Sequence, residues 1–407
     1  MISNRNIDSE AKSPTSKAEA VITVLFILYF SQAFAVFPVV NKLFAALTYL
    51  FLPYIVLSSF KRYTYFLTRD IFILLLILLA GISILWSEVP ILTFHNFRGM
   101  LRLAAYGIYF SMRHSLASQL NFFSIAFGIS AISGVIISAV IPISDAVDGW
   151  RGSFPHKNDA ARVMILSILT QLAIFKDKNL KRKIFNYVSI IMSFILLIFA
   201  KSSTALVVLL IMALIFPFTK LMRQRYRLRV VITTALIFAL TLGSFVVART
   251  YVYIITEILG EDLTLNGRTD LWLPLIERVQ EKFWLGFGYN AFWITEFDWV
   301  ASTKKYGADW TPTHAHSGFL DLTLSLGIIG LFLFTISFVR ALIKSVDLII
   351  TSRGSKSIWI LQFLVFVFIY NLNITQSILS PENIVWMIYI SIVSTMLVPS
   401  KRKLLLS

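Results

Sequence analysis

The stretch "GFLDLTLSLGIIGLFLFTISFVRAL" (Gly318–Leu342) decides the fold of this chain. A helix of about 17–25 apolar residues is long enough to cross the hydrocarbon core of a bilayer. The surrounding chain has the same character, because 57% of its 407 residues are hydrophobic and only 14% are charged. Soluble proteins carry about a quarter charged residues. The sequence therefore predicts a membrane protein.

Further apolar runs on both sides of this stretch predict an all-α polytopic protein with about twelve transmembrane helices. The second run is weakly apolar and the fourth is short, so about eleven spans is the alternative. The predicted spans are 21–40, 43–60, 71–86, 99–112, 122–143, 160–175, 184–200, 204–219, 230–248, 318–342, 357–374 and 384–398.

The distribution of basic residues predicts the orientation of the spans. The densest basic segments are "KDKNLKRK" (176–183) and "KLMRQRYRLR" (220–229), and both fall on the side of the N-terminus. Cytoplasmic loops are enriched in Lys and Arg, so both termini are expected in the cytoplasm. The net charge of +16 then reflects topology and anionic lipid rather than nucleic-acid binding.

This topology divides the chain into tails, bundles and loops. The first apolar run lacks an A-x-A cleavage pattern, so we interpret it as an anchor and not a signal peptide. The predicted parts are a cytoplasmic tail (1–20), nine spans (21–248) with an outer loop (144–159), a large outer loop (249–317), three spans (318–398) and a cytoplasmic C-terminal tail (399–407).

The large outer loop contains "NGRTDLWLPLIERVQEKFWLGFGYN" (266–290). Thr269 or Asp270 can cap a helix there. Apolar residues then recur at helical spacing, which predicts an amphipathic helix on the outer surface. "GFG" (286–288) allows a sharp turn after it, and we expect the loop to form a helical cap. The apolar positions are Leu271, Leu275, Ile276 and Val279.

Five arginines are predicted at or near the outer face, where positive charge runs against the topology rule. A charge inside a span costs about 2.5–3.5 kcal/mol. The guanidinium groups could snorkel to lipid headgroups, or they could bind one shared anion, since the planar guanidinium fits phosphate. The five are Arg98, Arg102, Arg151, Arg162 and Arg268.

Tryptophan shows the same asymmetry, because eight of the nine lie in outer loops or near outer helix ends. An ordinary aromatic belt would occupy both interfaces. We assign Trp86 and Trp386 to such a belt. The loop tryptophans, Trp272 among them, could instead form a platform for sugar rings.

Three histidines also face outward: His156, His314 and His316. They could bind zinc, pack at the interface, or act as a general base, since histidine ordinarily titrates near pH ~6.5. Nearby cations and the lack of an adjacent carboxylate oppose a metal; Asp309 and Asp321 are the nearest. The chain has no cysteine, which excludes disulfides and thiolate sites. We predict no metal and no cofactor.

The motifs "LWSEVP" (85–90), "WRGSFPHKNDAA" (150–161), "NGRTDLW…LGFGYNAF" and "HAHSGFLDLTLSLGIIGL" (314–331) together resemble the O-antigen ligase and polymerase superfamily. The exopolysaccharide-polymerase branch is the most similar. The resemblance implies a GT-C-type, metal-independent glycosyltransferase of the bacterial inner membrane. Its donor would be a glycan on polyprenyl (undecaprenyl) diphosphate, used at the periplasmic face.

Matched motif by motif, the resemblance implies that Arg151, Arg268 and His316 are catalytic. Ser317 departs from the family, which often has Asn there. We predict that further residues bind the diphosphate or the sugar: Arg102, Arg162, Lys157, His156, His314 and Trp272.

Three functions remain open on the sequence. A polymerase would join lipid-linked repeat units, and a ligase would move the glycan to lipid A core or another glycolipid acceptor. A transporter or flippase belongs to another class, which usually shows repeat symmetry or broken helices at the membrane midplane. The middle of most predicted spans is plain, which favours an enzyme. The expected partners are the lipid-linked donor, a glycan or glycolipid acceptor and membrane lipid, with no nucleic acid.

Overall fold

The computed structural model describes residues 16–141, 149–175, 179–222, 268–295, 314–352, 354–373 and 378–397. Within these ranges the regular structure is entirely helical, which confirms the all-α prediction. The helices are α1 (Lys17–Phe30), α2 (Pro38–Leu57), α3 (Phe60–Leu67), α4 (Ile71–Ile82), α5 (Pro90–Arg113), α6 (Leu116–Val140), α7 (Lys157–Ala173), α8 (Leu180–Phe199), α9 (Ser203–Met222), α10 (Arg268–Glu281), α11 (Phe292–Thr295), α12 (Gly318–Thr351), α13 (Ser355–Asn373) and α14 (Ile384–Leu397).

The helices form one bundle with two distinct ends. The histidine end is the end at which α4 stops and α5, α7, α12 and α14 begin. The Tyr370 hydroxyl at the end of α13 donates to the Asn158 carbonyl at the start of α7, over 3.2 Å. Gly99 in α5 lies against Pro381, just before α14. These contacts bring predicted outer segments to the same end of the molecule.

Five helices in the described residues are long and apolar enough to cross a membrane. The bent pair α3 and α4 could supply a sixth, and α9 and α14 contain shorter apolar helices. The protein is therefore polytopic, as predicted. The count of about twelve spans stays a prediction, and the predicted span 230–248 lies outside the described residues.

The first part of the bundle differs from the predicted boundaries. The predicted span 21–40 is broken, because α1 ends at Phe30 and α2 begins with Pro38 at its first turn. Between them Gln32 adopts a positive φ of 66°. Proline suits a helix start because its missing N–H is not needed there. The sequence also missed α3, which meets α4 at 97°.

Small residues allow close helix contact in the core. A Cβ added to Gly107 in α5 would lie 2.6 Å from the Met387 carbonyl oxygen in α14. Glycine at such a contact lets two membrane helices approach closely. Trp386 and Tyr389 of α14 are both buried. Helix α14 is thus a central element of the bundle, and it begins at the histidine end.

A buried polar network fixes α12 at the opposite end. Asp70 caps α4, and its carboxylate accepts a hydrogen bond from the Ser337 hydroxyl at 2.7 Å. Arg340 lies 3.4 Å from the same carboxylate. The Tyr389 hydroxyl is 3.1 Å from that of Ser337. Helices α4, α12 and α14 are therefore joined by hydrogen bonds, and this holds α12 in register for the residues at its other end.

Candidate functional site

The two neighbouring histidines lie in a tight turn just before α12. Their rings are 4.1 Å apart, centroid to centroid, and are tilted by 43°. His316 has a φ of 50°, in the left-handed region that non-glycine residues adopt uncommonly. Ala315 between them is fully buried. The turn therefore directs both imidazoles to one side and holds their linking residue in the protein.

The backbone carbonyl and the backbone N–H of Ala315 both form hydrogen bonds with side chains. The Trp272 indole N–H donates to the Ala315 carbonyl at 2.8 Å. The Ala315 N–H donates to the Asp321 carboxylate, 3.2 Å from each oxygen. Asp321 also accepts the Trp293 indole N–H at 2.7 Å. A residue in strained backbone persists only where its surroundings fix it, and these three side chains provide that support for His316.

Helix α10 packs on this turn through the predicted apolar face. Leu271 and Leu275 are buried in a cluster with Ala315 and Leu324, and Val279 packs against it. The amphipathic helix is confirmed. The fourth predicted apolar position, Ile276, is 48% exposed and lies outside this cluster. Ile276 follows Leu275 directly, about 100° around the helix, so it leaves the stripe formed by positions four apart.

The start of α10 also differs from the expected cap. The helix begins at Arg268, so Thr269 and Asp270 fall in its first turn rather than before it. The side chain of Arg268 lies outside the described part of the structure. The helical cap predicted for residues 249–317 is described only in 268–295 and 314–317, so it stays a prediction.

Helix α12 is interrupted at Gly327, where φ is 64° and ψ is −170°. The segment after α10 fills this break with its own backbone. Phe287 N–H donates to the Leu324 carbonyl at 2.8 Å, and Ile328 N–H donates to the Phe283 carbonyl at 2.8 Å. The sequence did not predict this break. Periodicity cannot reveal a break whose backbone groups are satisfied by another segment.

Glycine is required at this crossing. A Cβ on Gly327 would lie 2.1 Å from the Trp284 carbonyl oxygen. On the other segment, Gly286 and Gly288 have φ of 66° and 104°, which confirms the predicted sharp turn at 286–288. The turn places Tyr289 beside α4, where its N–H donates to the Ser83 hydroxyl at 3.0 Å.

A cavity of about 560 Å³ opens beside the turn. His314 and Asp321 form part of one wall, and Trp293 and Glu382 form others. Its remaining polar side chains come from the 289–290 segment, α5, α12 and the segment before α14. The polar members of the lining are Asn96, Tyr289, Asn290, His314, Asp321, Ser325, Ser380 and Glu382. Carboxylates, amides and hydroxyls beside an indole are suited to a ligand that carries several hydroxyl groups.

Tyr289 is one of the residues that line this cavity. Its hydroxyl donates to the Leu379 carbonyl. Burial raises the pKa of the Tyr289 phenol, and the charge of Glu382 raises it further. The phenol is therefore protonated at neutral pH. It serves as a hydrogen-bond donor that ties the loop after α10 to the segment before α14.

Four of the predicted site residues form a second polar group at the start of α7. Arg151 donates to the Pro155 carbonyl at 2.7 Å. His156 is the N-cap of α7, and its Nδ1 accepts the Asn158 N–H at 3.2 Å. Lys157 is the first residue of the helix. Arg162 is buried and pairs with Asp159 at 2.6 Å.

Arg102 occupies a third place, between α2 and α5. Its guanidinium donates to the Thr48 hydroxyl at 3.2 Å and lies 4.4 Å from the centre of the Tyr49 ring. Arg98 lies over the same ring at 5.0 Å. The four predicted arginines with described side chains, Arg98, Arg102, Arg151 and Arg162, therefore have different immediate surroundings. Among the described residues, none of them lines the 560 Å³ cavity.

The potential metal ligands of the described residues do not converge on one point. No group of three His, Cys, Asp or Glu side chains there could hold a metal ion. His156 caps α7, whereas His314 and His316 face each other before α12. The three histidines therefore belong to two different polar groups.

Sequence reasoning missed Asp321, Trp293 and Glu382. Asp321 lies five residues from His316 in sequence, yet the first turn of α12 brings its carboxylate back to the Ala315 N–H. A signal was present, since Asp321 is the one acidic residue within 318–342. Glu382 comes from a distant segment, which only the tertiary packing brings to the cavity.

Comparison with known protein families matches a part of the chain that contains the histidine turn. A family model described as "O-Antigen ligase" matches residues 188–335, a range that includes α10, the turn and the start of α12. The exopolysaccharide production protein ExoQ of Rhizobium meliloti (strain 1021) is 34% identical over 84 residues. That match covers 20% of this chain and 19% of the relative, so the chain aligns with about a fifth of the relative's length.

Proposed function

We propose that this chain, a member of the O-antigen ligase and polymerase superfamily, is a membrane glycosyltransferase. It would transfer a glycan from a polyprenyl diphosphate carrier to a hydroxyl of an acceptor sugar. The observation that carries this proposal is the 560 Å³ cavity beside the histidine turn. The cavity combines an imidazole, two carboxylates and an indole, and these groups suit a sugar that must lose a hydroxyl proton.

The proposed reaction is a single displacement. His316 is the proposed general base, and His314, which lines the cavity, orients the acceptor beside it. The imidazole takes the proton of the acceptor hydroxyl as its oxygen bonds to the anomeric carbon. The bond from that carbon to the diphosphate breaks, and the electron pair leaves with the carrier diphosphate. The anomeric configuration would therefore invert.

Arg151 and Arg268 are proposed to stabilise the departing diphosphate. Fixed donors directed at developing charge often make the largest contribution to catalysis. Arg151 lies beside the N-terminus of α7, where the helix dipole also favours an anion. Lys157, His156 and Arg162 belong to the same polar group, and we propose them as further contacts of the diphosphate.

Arg102 and Trp272 have more local roles in this proposal. Arg102 would contact the carrier lipid from its position between α2 and α5. Trp272 was predicted as a sugar platform, but its indole N–H holds the Ala315 carbonyl. We therefore propose that Trp272 contributes to the site by fixing the histidine turn.

We propose that the histidine end faces the periplasm and that the protein lies in the bacterial inner membrane. Lys181, Arg182 and Lys183 lie in the first turn of α8, at the opposite end of the bundle. Lys and Arg are concentrated in cytoplasmic loops, which supports a cytoplasmic position for that end and for both termini. An undecaprenyl-linked donor would then enter the site laterally from the outer leaflet.

Polymerisation is the preferred reaction, because the relative is named for exopolysaccharide production. The printed description of the family supports the ligase alternative. Deletion of the gene distinguishes them. Loss of long polymer with short repeats accumulating on carrier is expected for a polymerase, whereas long polymer stranded on carrier would identify a ligase.

The break in α12 is the feature that a transporter would share. Transporters use discontinuous helices whose freed backbone groups bind substrate or ions. Here the Leu324 and Ser325 carbonyls accept hydrogen bonds from Phe287 and Gly288. The break is thus occupied by the protein's own backbone, which favours the enzyme over the flippase.

The direct test uses purified protein with a synthetic lipid-linked oligosaccharide as donor and acceptor. Longer glycan on carrier, with released polyprenyl diphosphate in equal amount, is the expected product. Movement of intact donor across proteoliposome membranes without new glycosidic bonds would overturn the proposal.

A further inference from the structure

A second cavity lies at the end of the bundle opposite the histidines, between α1, α2 and α5. Its volume is about 690 Å³. The starts of α1 and α3 and the end of α5 surround it with Ser16, Glu19, Arg62 and Arg113. Its deeper walls are apolar and aromatic: Phe26, Phe30, Phe51, Ile55, Tyr106 and Phe110. A charged mouth above an apolar chamber has the shape needed for an amphiphile.

The depth of the cavity corresponds to one leaflet. On α1 its lining runs from Ala18 to Phe30, which is about 18 Å along a helix that rises about 1.5 Å per residue. The hydrocarbon core is about 30 Å thick, so one leaflet spans about 15 Å. The chamber therefore fits an acyl chain of ordinary membrane length and is too short for a long polyprenyl chain.

The mouth of the cavity combines an ion pair with extra basic residues. Glu19 and Arg113 form two hydrogen bonds, of 2.6 and 2.8 Å, and so offset each other's charge. Arg62 lines the cavity from α3, and Lys61 next to it is exposed.

Helix α3 has the features of a helix that lies along the membrane surface. It meets α4 at 97°, and it buries Tyr63 and Phe66. Since α4 runs with the bundle, α3 runs across it. Short amphipathic helices in this orientation place their basic residues at the level of lipid headgroups.

We propose that this cavity and α3 bind an anionic glycerophospholipid. One acyl chain lies between α1, α2 and α5, and the phosphate contacts Arg62 with Lys61 beside it. The guanidinium fork suits a phosphate. The site is at the opposite end from the 560 Å³ cavity, so it does not depend on the proposed glycan chemistry.

Native mass spectrometry of the full-length protein tests the headgroup preference. The protein is released from nanodiscs that contain equal amounts of phosphatidylglycerol and phosphatidylcholine with identical chains. Retention of phosphatidylglycerol is expected to exceed that of phosphatidylcholine about fivefold, in line with one basic contact at an anionic lipid. Equal retention by the wild-type protein would overturn the proposal.

Two charge variants locate the preference. Arg62→Gln should remove it. Arg69→Gln is the matched control, because Arg69 is nearby but is directed to the Tyr65 carbonyl and ring and is not part of the cavity lining. A preference that survives Arg62→Gln, or that is lost equally in Arg69→Gln, would contradict the assignment to Arg62.

Cross-linking tests whether the acyl chain lies in the cavity. The experiment needs no charge variant, so it remains informative even if Arg62→Gln fails to fold. Phosphatidylglycerol with a photoactivatable group in mid-chain should label α1, α2 or α5 of the wild-type protein. Ile22→Trp, which fills the cavity from its partly exposed side, should reduce this label. Label confined to other helices would overturn the proposal.

Two competitors identify the ligand class. Inorganic phosphate at millimolar concentration should leave the label unchanged, since it lacks the chain. Full displacement by phosphate would show a phosphate site with no acyl chain. Polyprenyl phosphate should compete no better than unlabelled phosphatidylglycerol, and stronger competition would reject the glycerophospholipid.

Discussion

One carboxylate lies at each half of α12: Asp321 belongs to its first turn, and Asp70 of a neighbouring segment contacts its second half. The two carboxylates have different surroundings. Asp70 is 4% exposed, caps α4 and accepts a hydrogen bond from the Ser337 hydroxyl, with Arg340 close enough for an ion pair. Asp321 borders the 560 Å³ cavity. Its oxygens accept the Trp293 indole N–H and a backbone N–H of the histidine turn. One carboxylate joins helices, and the other positions a turn at a cavity.

The backbone conformation also differs between the surroundings of Asp321 and those of Asp70. At the Asp321 end, His316 has a positive φ and α12 is broken at Gly327. Around Asp70, the side chains of Ser337 and Tyr389 are buried. Strained backbone persists where its surroundings fix it and is concentrated at functional sites. The comparison supports the proposal that polar residues at the Asp321 end serve a ligand site, whereas those at the Asp70 end join helices.

The largest expected effect tests the role of the histidine end directly. His316→Ala should lower glycan transfer by about 10²–10⁴-fold, the range for loss of a general base. His314→Ala should lower it less, because that ring orients the acceptor. The measurement is the rate of transfer by purified protein.

Folding is the control for both histidine variants. Each should elute as a single species and keep a thermal midpoint close to that of the wild type. Near-normal transfer by His316→Ala would reject His316 as the base. A larger loss in His314→Ala would move the assignment to the ring that lines the cavity.

The second largest expected effect tests whether the arginines predicted to be catalytic act together with the histidine turn. Arg151→Lys and Arg268→Lys keep the charge but lose the two-pronged guanidinium. Loss of a charge-assisted hydrogen bond costs about 1.5–3 kcal/mol of transition-state stabilisation, so the rate of transfer should fall roughly ten- to a hundredfold. If both Lys variants keep most of the activity, the arginines supply only general positive charge.

A crossed pair of substitutions gives smaller effects that separate the two ends. Asp321→Asn should lower transfer about tenfold, because the amide offers only one acceptor oxygen to the Ala315 and Trp293 N–H groups. Asp70→Asn should instead lower the free energy of unfolding by about 1–3 kcal/mol and leave the transfer rate of the folded protein unchanged. Rates and thermal midpoints of both variants are compared. Equal loss of activity in both would remove the distinction between the ends.

The hydrophobic pattern predicted those helices and helix faces that depend on local sequence alone. The span at 318–342 and the stripe Leu271, Leu275 and Val279 are present because the apolar residues recur with the period of the helix. The pattern missed α3, since "FKRYTYFL" is short and mixed in character. It joined residues 21–40 into one span, because the break before Pro38 is itself largely apolar.

Each sequence motif indicated its own candidate residues but not the partners that the fold brings to them. The histidine pair was evident from its spacing, and Asp321 was not, because its contact with Ala315 depends on how the turn enters α12. The cavity adds Glu382 and Tyr289 from segments far apart in the chain. Local sequence does not specify such contacts.

The smallest expected effect is that of a chelator. Transfer by the purified protein should be unchanged in excess EDTA. The reason is the chemistry of the donor set: the carboxylate nearest the histidine turn, Asp321, already accepts N–H groups from Trp293 and Ala315. A zinc site needs three or four ligands that converge on one point, and His156 instead caps α7 through its Nδ1. Activity that is lost in EDTA and restored by a single divalent cation would contradict this expectation. The histidine end would then bind a metal, and the contrast with the Asp70 end would be one of coordination rather than of general base catalysis.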